Sequence, residues 1–140
     1  MTGLPTKYLI LNGSIVILAG LLSGLPFRRA IVRKRSENVN AWRVAHSVLM
    51  MDGMWMLVAA LVIPHLALDE GLVWGMTYSL VAAGYGFTVA FIVGAWKGLP
   101  GLTARPYGLN TLLFAAHVIG ASGSLAGTVI MVYGSLRSLR

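Results

Sequence analysis

The chain has 140 residues, no cysteine and a formal net charge of +7, and 57% of its residues are hydrophobic against 11% that are charged. The missing cysteine excludes a disulfide scaffold, a cysteine-ligated metal site and a cysteine nucleophile. A soluble domain has about 25% charged residues to cover its surface. The composition therefore indicates a membrane protein rather than a soluble or disordered one.

Four long apolar segments follow one another along the chain. Three of them contain no Asp, Glu, Lys or Arg, and the second is interrupted by His46 and Asp52. Each reaches the roughly 20 residues that a helix needs to cross a bilayer. We therefore predict an all-α integral membrane four-helix bundle that forms one domain over residues 1–140, with helices over about 8–27, 44–66, 72–96 and 108–136.

The basic residues between these segments indicate an orientation in the membrane. The first loop and its flanks hold six of them, namely Arg28, Arg29, Arg33, Lys34, Arg35 and Arg43. The third loop holds Lys97 and Arg105, whereas the second holds the acidic Asp69 and Glu70. Since loops rich in Lys and Arg stay in the cytoplasm, we predict a multi-pass protein, in a bacterial inner membrane, with both termini outside. The first span is expected to be a retained anchor, because its heaviest positive charge follows it.

Charge beside an apolar run is typical of contact with lipid and not of a nucleic-acid-reading face, so no nucleic acid is expected as a partner.

Several of the 17 glycines lie four residues apart, in the pairs Gly20 and Gly24, Gly71 and Gly75, and Gly123 and Gly127. In lipid, small residues at this spacing let helix backbones approach closely. The spacing predicts tight packing, either within one subunit or between subunits.

Ionisable side chains inside a membrane are costly and often mark functional sites. Asp52 is interpreted either as a site residue or as a structural partner of Arg43 or of a tyrosine hydroxyl. His46 is either an interfacial histidine or a metal or haem ligand, and His117 is either a ligand or a hydrogen-bonded core histidine. His65 lies at the far end of the second helix, about 28 Å from His46, so these two cannot share one metal ion within a subunit.

The spacing of residues on the second helix bears on where such a site would lie. His46, Met50 and Gly53 are predicted to share one face, and a glycine on that face leaves room for a flat macrocycle. Asp52 points about 120° away from His46. If both residues serve one site, the site must lie between copies of the helix, which requires an oligomer.

Parts of the chain resemble the styrene oxide isomerase family. Residues 41–47 (AWRVAHS), 52–54 (DGM) and 60–64 (ALVIP) resemble its second helix, and residues 84–103 resemble its third helix and the following loop. The resemblance implies a homotrimer that holds haem b at subunit interfaces, with His46 as the axial ligand of the iron. It also implies that ferric haem acts as a Lewis acid towards a small apolar epoxide, which is isomerised to an aldehyde.

The chain departs from the family pattern at three positions. The pocket asparagine six residues after the histidine is Asp52 here, the tyrosine of helix three falls at Phe91, and an aspartate of that helix falls at Ala83. Because the other histidines lie at other depths, we expect an open sixth position on the iron, with Asp52 of a neighbouring copy beside it.

These considerations give a set of candidate site residues. The haem is assigned to His46 with Arg43, Met50 and Gly53, the chemistry to Asp52 and Tyr85, and the substrate pocket to Phe87 and Phe91. Two alternatives remain open at this point. One is a membrane haem protein without this chemistry, such as a gas or redox sensor or an electron-transfer subunit. The other is a membrane module without a cofactor, such as half of a transporter.

Overall fold

The computed structural model of the chain describes residues 3–34 and 36–140. These residues form four long helices, α1 (Gly3–Val32), α2 (Ser36–Val62), α3 (Glu70–Lys97) and α4 (Leu109–Ser138), and one 3₁₀ turn, Ile63–His65, that extends α2. All four helices are long and apolar enough to cross a membrane. The predicted all-α class and the four spans are confirmed, whereas the trimer stays a prediction.

The helices are longer than the predicted spans. α1 continues to Val32 and α2 already begins at Ser36, so Arg28, Arg29 and Arg43 lie within helices and not in a loop. The difference arises because charge and hydropathy delimit the part of a helix that lies in lipid, whereas the backbone hydrogen bonds continue into the polar region. Arg35, also assigned to the first loop, lies outside the described residues.

Local signals in the sequence fix both ends of α3. The Asp69 side chain accepts a hydrogen bond from the backbone N–H of Leu72 at 2.9 Å, as an N-cap residue does. At the other end, Gly98 has a φ of +67°, and the N–H of Leu99 bonds to the carbonyl of Gly94 at 3.0 Å. Asp69, which the sequence places in the second loop, is therefore exposed and also starts the helix.

The helices pack as two close pairs, α1 with α2 and α3 with α4, and α3 makes smaller contacts with α1 and α2. The short second loop predicts a hairpin of α2 and α3. The closest approaches between helix backbones instead occur at glycines, between α1 and α2 and between α3 and α4. A Cβ on Gly13 of α1 would lie 2.9 Å from the carbonyl oxygen of Gly53 in α2. A Cβ on Gly86 of α3 would lie 2.8 Å from the carbonyl oxygen of Ala116 in α4.

The predicted glycine pairs contribute unequally to these contacts. Gly20 approaches α2, and Gly123 and Gly127 approach α3. Gly71 makes no such approach, since the nearest atom to a Cβ there would belong to the side chain of Asp69, 3.4 Å away. The four-residue spacing of glycine was therefore a sound signal for packing in α1 and α4 and not in α3.

Large apolar side chains lie on both the inside and the outside of the bundle. The inner set is completely buried and includes Leu9, Leu49, Met56, Met76 and Leu80. The outer set is more than half exposed in all four helices and includes Leu22, Leu61, Tyr78 and Leu125. Such an apolar surface is compatible with lipid or with other subunits, and not with water.

The loop between α3 and α4 is held by one buried side chain in the first turn of α4. The Asn110 carboxamide accepts a hydrogen bond from the N–H of Gly101 at 3.1 Å. It donates to the carbonyl of Thr103 at 2.7 Å and to that of Arg105 at 3.0 Å. Asn110 therefore fixes the position of residues 101–105 against α4.

Replacing Asn110 by leucine, which has a similar size, should lower the free energy of unfolding by about 2 kcal/mol or more. The reason is that each polar group left buried without a partner costs about 1–3 kcal/mol, and three loop groups lose theirs. The measurement is thermal unfolding in detergent. Ser122→Ala is the control, because that hydroxyl bonds only to carbonyls of its own helix among the described residues. Equal stability of both variants would contradict this role for Asn110.

Candidate functional site

His46 projects from α2 onto the backbone of α1. Its Nδ1 lies 2.8 Å from the carbonyl oxygen of Gly20. A carbonyl can only accept, so Nδ1 must carry a proton and donate it, and in the neutral ring Nε2 is then left with a free lone pair. Nε2 has no hydrogen-bond partner among residues 3–34 and 36–140. Histidines that bind metals are commonly fixed in this way through their second nitrogen.

The helix α1 also shapes the surroundings of the His46 ring. Gly20 and Gly24 lie one turn apart on the same face of α1, and both are small enough for the imidazole to approach the backbone. A Cβ on Gly24 would lie 3.6 Å from Nδ1, which is an ordinary contact. The Phe27 ring lies with its centroid 6.2 Å from that of the imidazole. The result is a half-buried histidine held by one helix in a single tautomer.

Met50 and Gly53 share the face of His46, as predicted, but that face is covered by α1. The sulfur of Met50 would lie 3.2 Å from a Cβ on Gly20. A Cβ on Gly53 would lie 2.7 Å from the carbonyl oxygen of Gly13 and 2.6 Å from Ile17 Cγ1. The prediction that Gly53 leaves room for a flat macrocycle is therefore wrong within one subunit, because the backbone of α1 occupies this space.

Asp52 lies on a different side of α2, where α1, α2 and α3 meet. A Cβ on Gly84 of α3 would lie 3.2 Å from its Oδ2 and 3.1 Å from Val16 of α1. Oδ2 is buried and has no hydrogen-bond partner within the described part of the chain. The partners considered for a structural role bond elsewhere, since Arg43 donates to Asn40 at 2.6 Å and Tyr85 to Asn12 at 2.8 Å.

Tyr85 and Arg43, both predicted site residues, do not bond to His46 or Asp52 within the described ranges. The Tyr85 hydroxyl links α3 to α1 through Asn12, whose own Nδ2 donates to the carbonyl of Tyr8 at 2.8 Å. Arg43 is exposed near the start of α2. Asn12 was not predicted as a partner for Tyr85, although a carboxamide within a charge-free apolar segment was a signal that it needs one.

Phe87 and Phe91 both contact α4, and Phe91 also packs against the apolar cluster of Ala30, Trp42, Ala45 and Ala95. The Phe87 ring packs over Gly120, where a Cβ would lie 2.5 Å from the ring. The Phe91 ring lies 5.7 Å from that of Phe87 and meets the His117 ring edge to face, with centroids 4.8 Å apart. Phe91 and His117 line a cavity between α2, α3 and the loop before α4. The structure thus brings together two residues that the sequence had treated separately.

The histidines do not form a cluster. His65 is exposed at the far end of α2, and its backbone carbonyl accepts a hydrogen bond from Ser138 at 3.0 Å. The described residues contain no group of three or more His, Cys, Asp and Glu side chains that could hold a metal ion. A single histidine ligand suits haem, because the porphyrin supplies four of the ligands of the iron.

Replacing Asp52 by leucine should raise the stability of the haem-free protein. Leucine is similar in shape and removes a buried oxygen without a partner, so we expect the free energy of unfolding to rise by about 1 kcal/mol or more. Asp52→Asn is the matched control, because it keeps the polar atom, and it should change stability less. Thermal unfolding in detergent measures both. A destabilised leucine variant would instead reveal a partner for the carboxylate.

A family model described as styrene oxide isomerase matches residues 5–136, which include most or all of each of the four helices. No curated protein and no solved structure gives a significant match. The similarity in predicted helices two and three therefore extends over the first and last helices as well.

Proposed function

Because the chain belongs to the styrene oxide isomerase family, we propose that it is a haem b protein of the membrane that isomerises a small apolar epoxide to an aldehyde. One observation carries the haem assignment. The hydrogen bond from His46 Nδ1 to the Gly20 carbonyl leaves Nε2 as a free, oriented ligand on an apolar helix pair. The same bond makes the imidazole a stronger ligand by partial negative polarisation of the ring.

The residues around His46 fit haem only if a second surface completes the site. One subunit offers the imidazole and a face of α1, while the face shared with Gly53 is filled by α1. Haem is flat and needs two walls, so we propose that it lies between copies in a homotrimer. The exposed apolar side chains of all four helices support such contacts. Asp52 lies on another side of α2 with Oδ2 buried within its own subunit, so it acts on the site of a neighbouring copy through its charge and not through direct contact.

In the proposed chemistry, the protein mainly orients the substrate and supplies charge. When bound, ferric haem supplies a Lewis acid for the epoxide oxygen. Isomerisation adds and removes no atoms, so the apolar walls serve to exclude water from the substrate. As the C–O bond breaks, the carbon that loses oxygen becomes positive, and a hydride from the neighbouring carbon moves to it. The carboxylate of Asp52 stabilises that positive charge, and the Phe91 ring forms an aromatic wall.

The positive charges support a defined orientation in the membrane. The end of α1, the start of α2, the end of α3 and the loop before α4 lie at one end of the bundle, where Arg29, Arg33, Trp42 and Trp96 line a common pocket. Lys97 and Arg105 belong to the same end. We propose that this end faces the cytoplasm of a bacterium and that both termini lie outside.

Absorption spectroscopy of the purified protein in detergent tests the proposed function. We expect a Soret band when haem is supplied and conversion of styrene oxide to phenylacetaldehyde by the loaded protein only. Haem-free protein from the same preparation is the control. A protein that takes up no haem would refute the cofactor assignment and leave a membrane module without haem.

A second function is favoured by the aromatic residue at position 91. Phe91 has no hydroxyl, and the Tyr85 hydroxyl is bonded to Asn12. A site without a free phenol suits a haem protein without isomerase chemistry, such as a gas or redox sensor or an electron-transfer subunit. A Soret band together with unchanged styrene oxide would select this function.

A further inference from the structure

Two arginines at the end of α1 lie one turn apart beside a pocket. The N–H of Arg33 bonds to the carbonyl of Arg29 at 3.1 Å, so the backbone stays helical up to Arg33. Both side chains line a pocket of about 200 Å³ between the end of α1, the start of α2 and the end of α3. Like charges four residues apart on a helix repel each other. An anion bound between the two side chains would remove this repulsion.

Neither guanidinium group is neutralised within the subunit as far as the structure describes it. No salt bridge or hydrogen bond joins the side chain of Arg29 or Arg33 to another described residue. Arg43, at the same end of the bundle, differs because it donates to Asn40 at 2.6 Å. The two arginines of the pocket are therefore available to a ligand.

Most of the acidic residues lie far from this pocket. Asp69 and Glu70 are at the opposite end of the bundle, and Asp52 lies within the span of α2. Glu37 is the one acidic residue that the sequence places at this end, against six Lys and Arg residues between positions 28 and 43. This end is therefore positively charged, and it attracts anions.

The pocket also contains neutral hydrogen-bond donors. Asn38 and Trp42 line it from α2, and Trp96 lines it from α3. Trp42 is only 9% exposed, and its indole N–H has no partner in the described part of the chain, although its nitrogen is not sealed from the surface. A buried tryptophan usually forms a hydrogen bond through this group. Guanidinium and indole donors without a described acidic wall are suited to the oxygens of a phosphate.

An apolar stripe on α1 leads to this pocket. Leu18, Leu22 and Leu25 are four and three residues apart, so they share one face of the helix with Arg29. These leucines, which we call the leucine stripe, are between 55% and 59% exposed. A second pocket of about 270 Å³ joins the stripe to the charges, since Leu25, Arg29 and Arg33 all line it. An acyl chain fits against such a stripe, whereas a water-soluble anion makes no use of it.

We propose that the pocket between Arg29, Arg33 and Trp42 binds the phosphate of an anionic phospholipid, whose acyl chains lie along the leucine stripe. Basic pockets between membrane helices commonly bind such headgroups, and tryptophan is typical of headgroup depth. An anionic lipid is preferred to a zwitterionic one, because its headgroup brings no positive charge to the two arginines. None of the residues assigned to haem, chemistry or substrate lines this pocket. Lipid binding is therefore independent of the proposed isomerase activity.

Native mass spectrometry of the haem-free full chain, stripped of lipid in detergent, tests this site. The probes are dioleoyl phosphatidylglycerol and dioleoyl phosphatidylcholine, which differ only in their headgroups. We expect the first phosphatidylglycerol on each subunit to bind about tenfold or more tightly than phosphatidylcholine. Phosphatidylglycerol should also raise the temperature of unfolding, as a ligand of the folded state does. Inorganic phosphate, which lacks acyl chains, should raise it less.

Paired variants separate the site from the total charge. Arg29→Gln with Arg33→Gln should weaken phosphatidylglycerol binding about tenfold or more and leave phosphatidylcholine binding unchanged. Lys97→Gln with Arg105→Gln is the matched control, because it removes two charges from the same end of the bundle but outside the pocket. This control should bind phosphatidylglycerol almost as tightly as the unsubstituted protein. Trp42→Phe keeps an aromatic ring but removes the N–H, so its affinity should fall about fivefold.

Four outcomes would overturn the proposal. An equal loss of phosphatidylglycerol binding in the two double variants would show that only the total charge matters. Equal affinities for the two lipids would remove the role of the anionic headgroup. Equal stabilisation by inorganic phosphate would make the pocket a site for a free anion. Displacement of the lipid by haem, one for one, would assign the arginines to the haem carboxylates. Failure to bind haem would refute the proposed function and leave this proposal standing.

Discussion

Haem binding is expected to be lost almost completely when His46 is replaced by alanine. Among the described residues, His46 is the histidine whose tautomer is fixed by a hydrogen bond and whose Nε2 is free. The described chain has no cluster of His, Cys, Asp and Glu to take over iron ligation. We expect the affinity for haem to fall by more than about 100-fold, since loss of even a supporting residue of a metal site costs about 10–100-fold.

The design of this experiment separates ligation from general damage. Added imidazole fits the space left by the side chain, so it should restore a Soret band to His46→Ala. The controls are His65→Ala and His117→Ala, which remove an exposed and a half-buried histidine away from α1. Both should retain haem. Loss of haem in His117→Ala together with its retention in His46→Ala would refute the ligand assignment.

The number and type of the helices could be predicted from the sequence because each apolar segment is long enough to span a bilayer by itself. The ends of α2 could not, because its start at Ser36 depends on backbone hydrogen bonds in a polar stretch. Helical periodicity also predicted correctly that His46, Met50 and Gly53 share one face. It could not say which neighbour covers that face, because this depends on how α1 packs.

In the candidate site, too, the local sequence identifies residues, whereas their contacts depend on residues that are distant in the chain. His46 could be identified as a ligand candidate from its place in an apolar segment. The Gly20 carbonyl that orients its ring lies 26 residues earlier in the chain, where no local pattern marks it. Likewise, Phe91 and His117 meet only because α3 and α4 approach closely at Gly86 and Gly120. Sequence spacing therefore identifies chemical groups, and helix packing determines which of them meet.

Gly53→Ala is expected to be the most destabilising of the single substitutions considered for this bundle. The new Cβ would lie 2.7 Å from the carbonyl oxygen of Gly13 and 2.9 Å from the backbone nitrogen of Ile17. Backbone atoms cannot rotate away as a flexible side chain does, so α1 and α2 must separate along their length. Overpacking of this kind costs about 1–3 kcal/mol and occasionally more, and here we expect the upper end of that range.

Gly75→Ala is the matched control for this substitution. A Cβ on Gly75 would meet only Ile130 Cδ1 at 3.7 Å, an ordinary contact. Alanine also favours a helix interior over glycine by about 1 kcal/mol, so this variant should be as stable as the unsubstituted protein or more so. Thermal unfolding of the haem-free protein in detergent compares the two variants directly.

Gly53→Ala also distinguishes the packing of α1 from the ligand itself. When α1 moves away from α2, it takes the Gly20 carbonyl with it, and the His46 ring loses the contact that fixes its tautomer. We therefore expect Gly53→Ala to bind haem more weakly although His46 is intact, and added imidazole should not restore affinity as it does for His46→Ala. A variant with unchanged stability and full haem binding would show that α1 does not hold the ligand in place. Weak haem binding with unchanged stability would place Gly53 in the haem pocket itself, through contacts with a neighbouring copy.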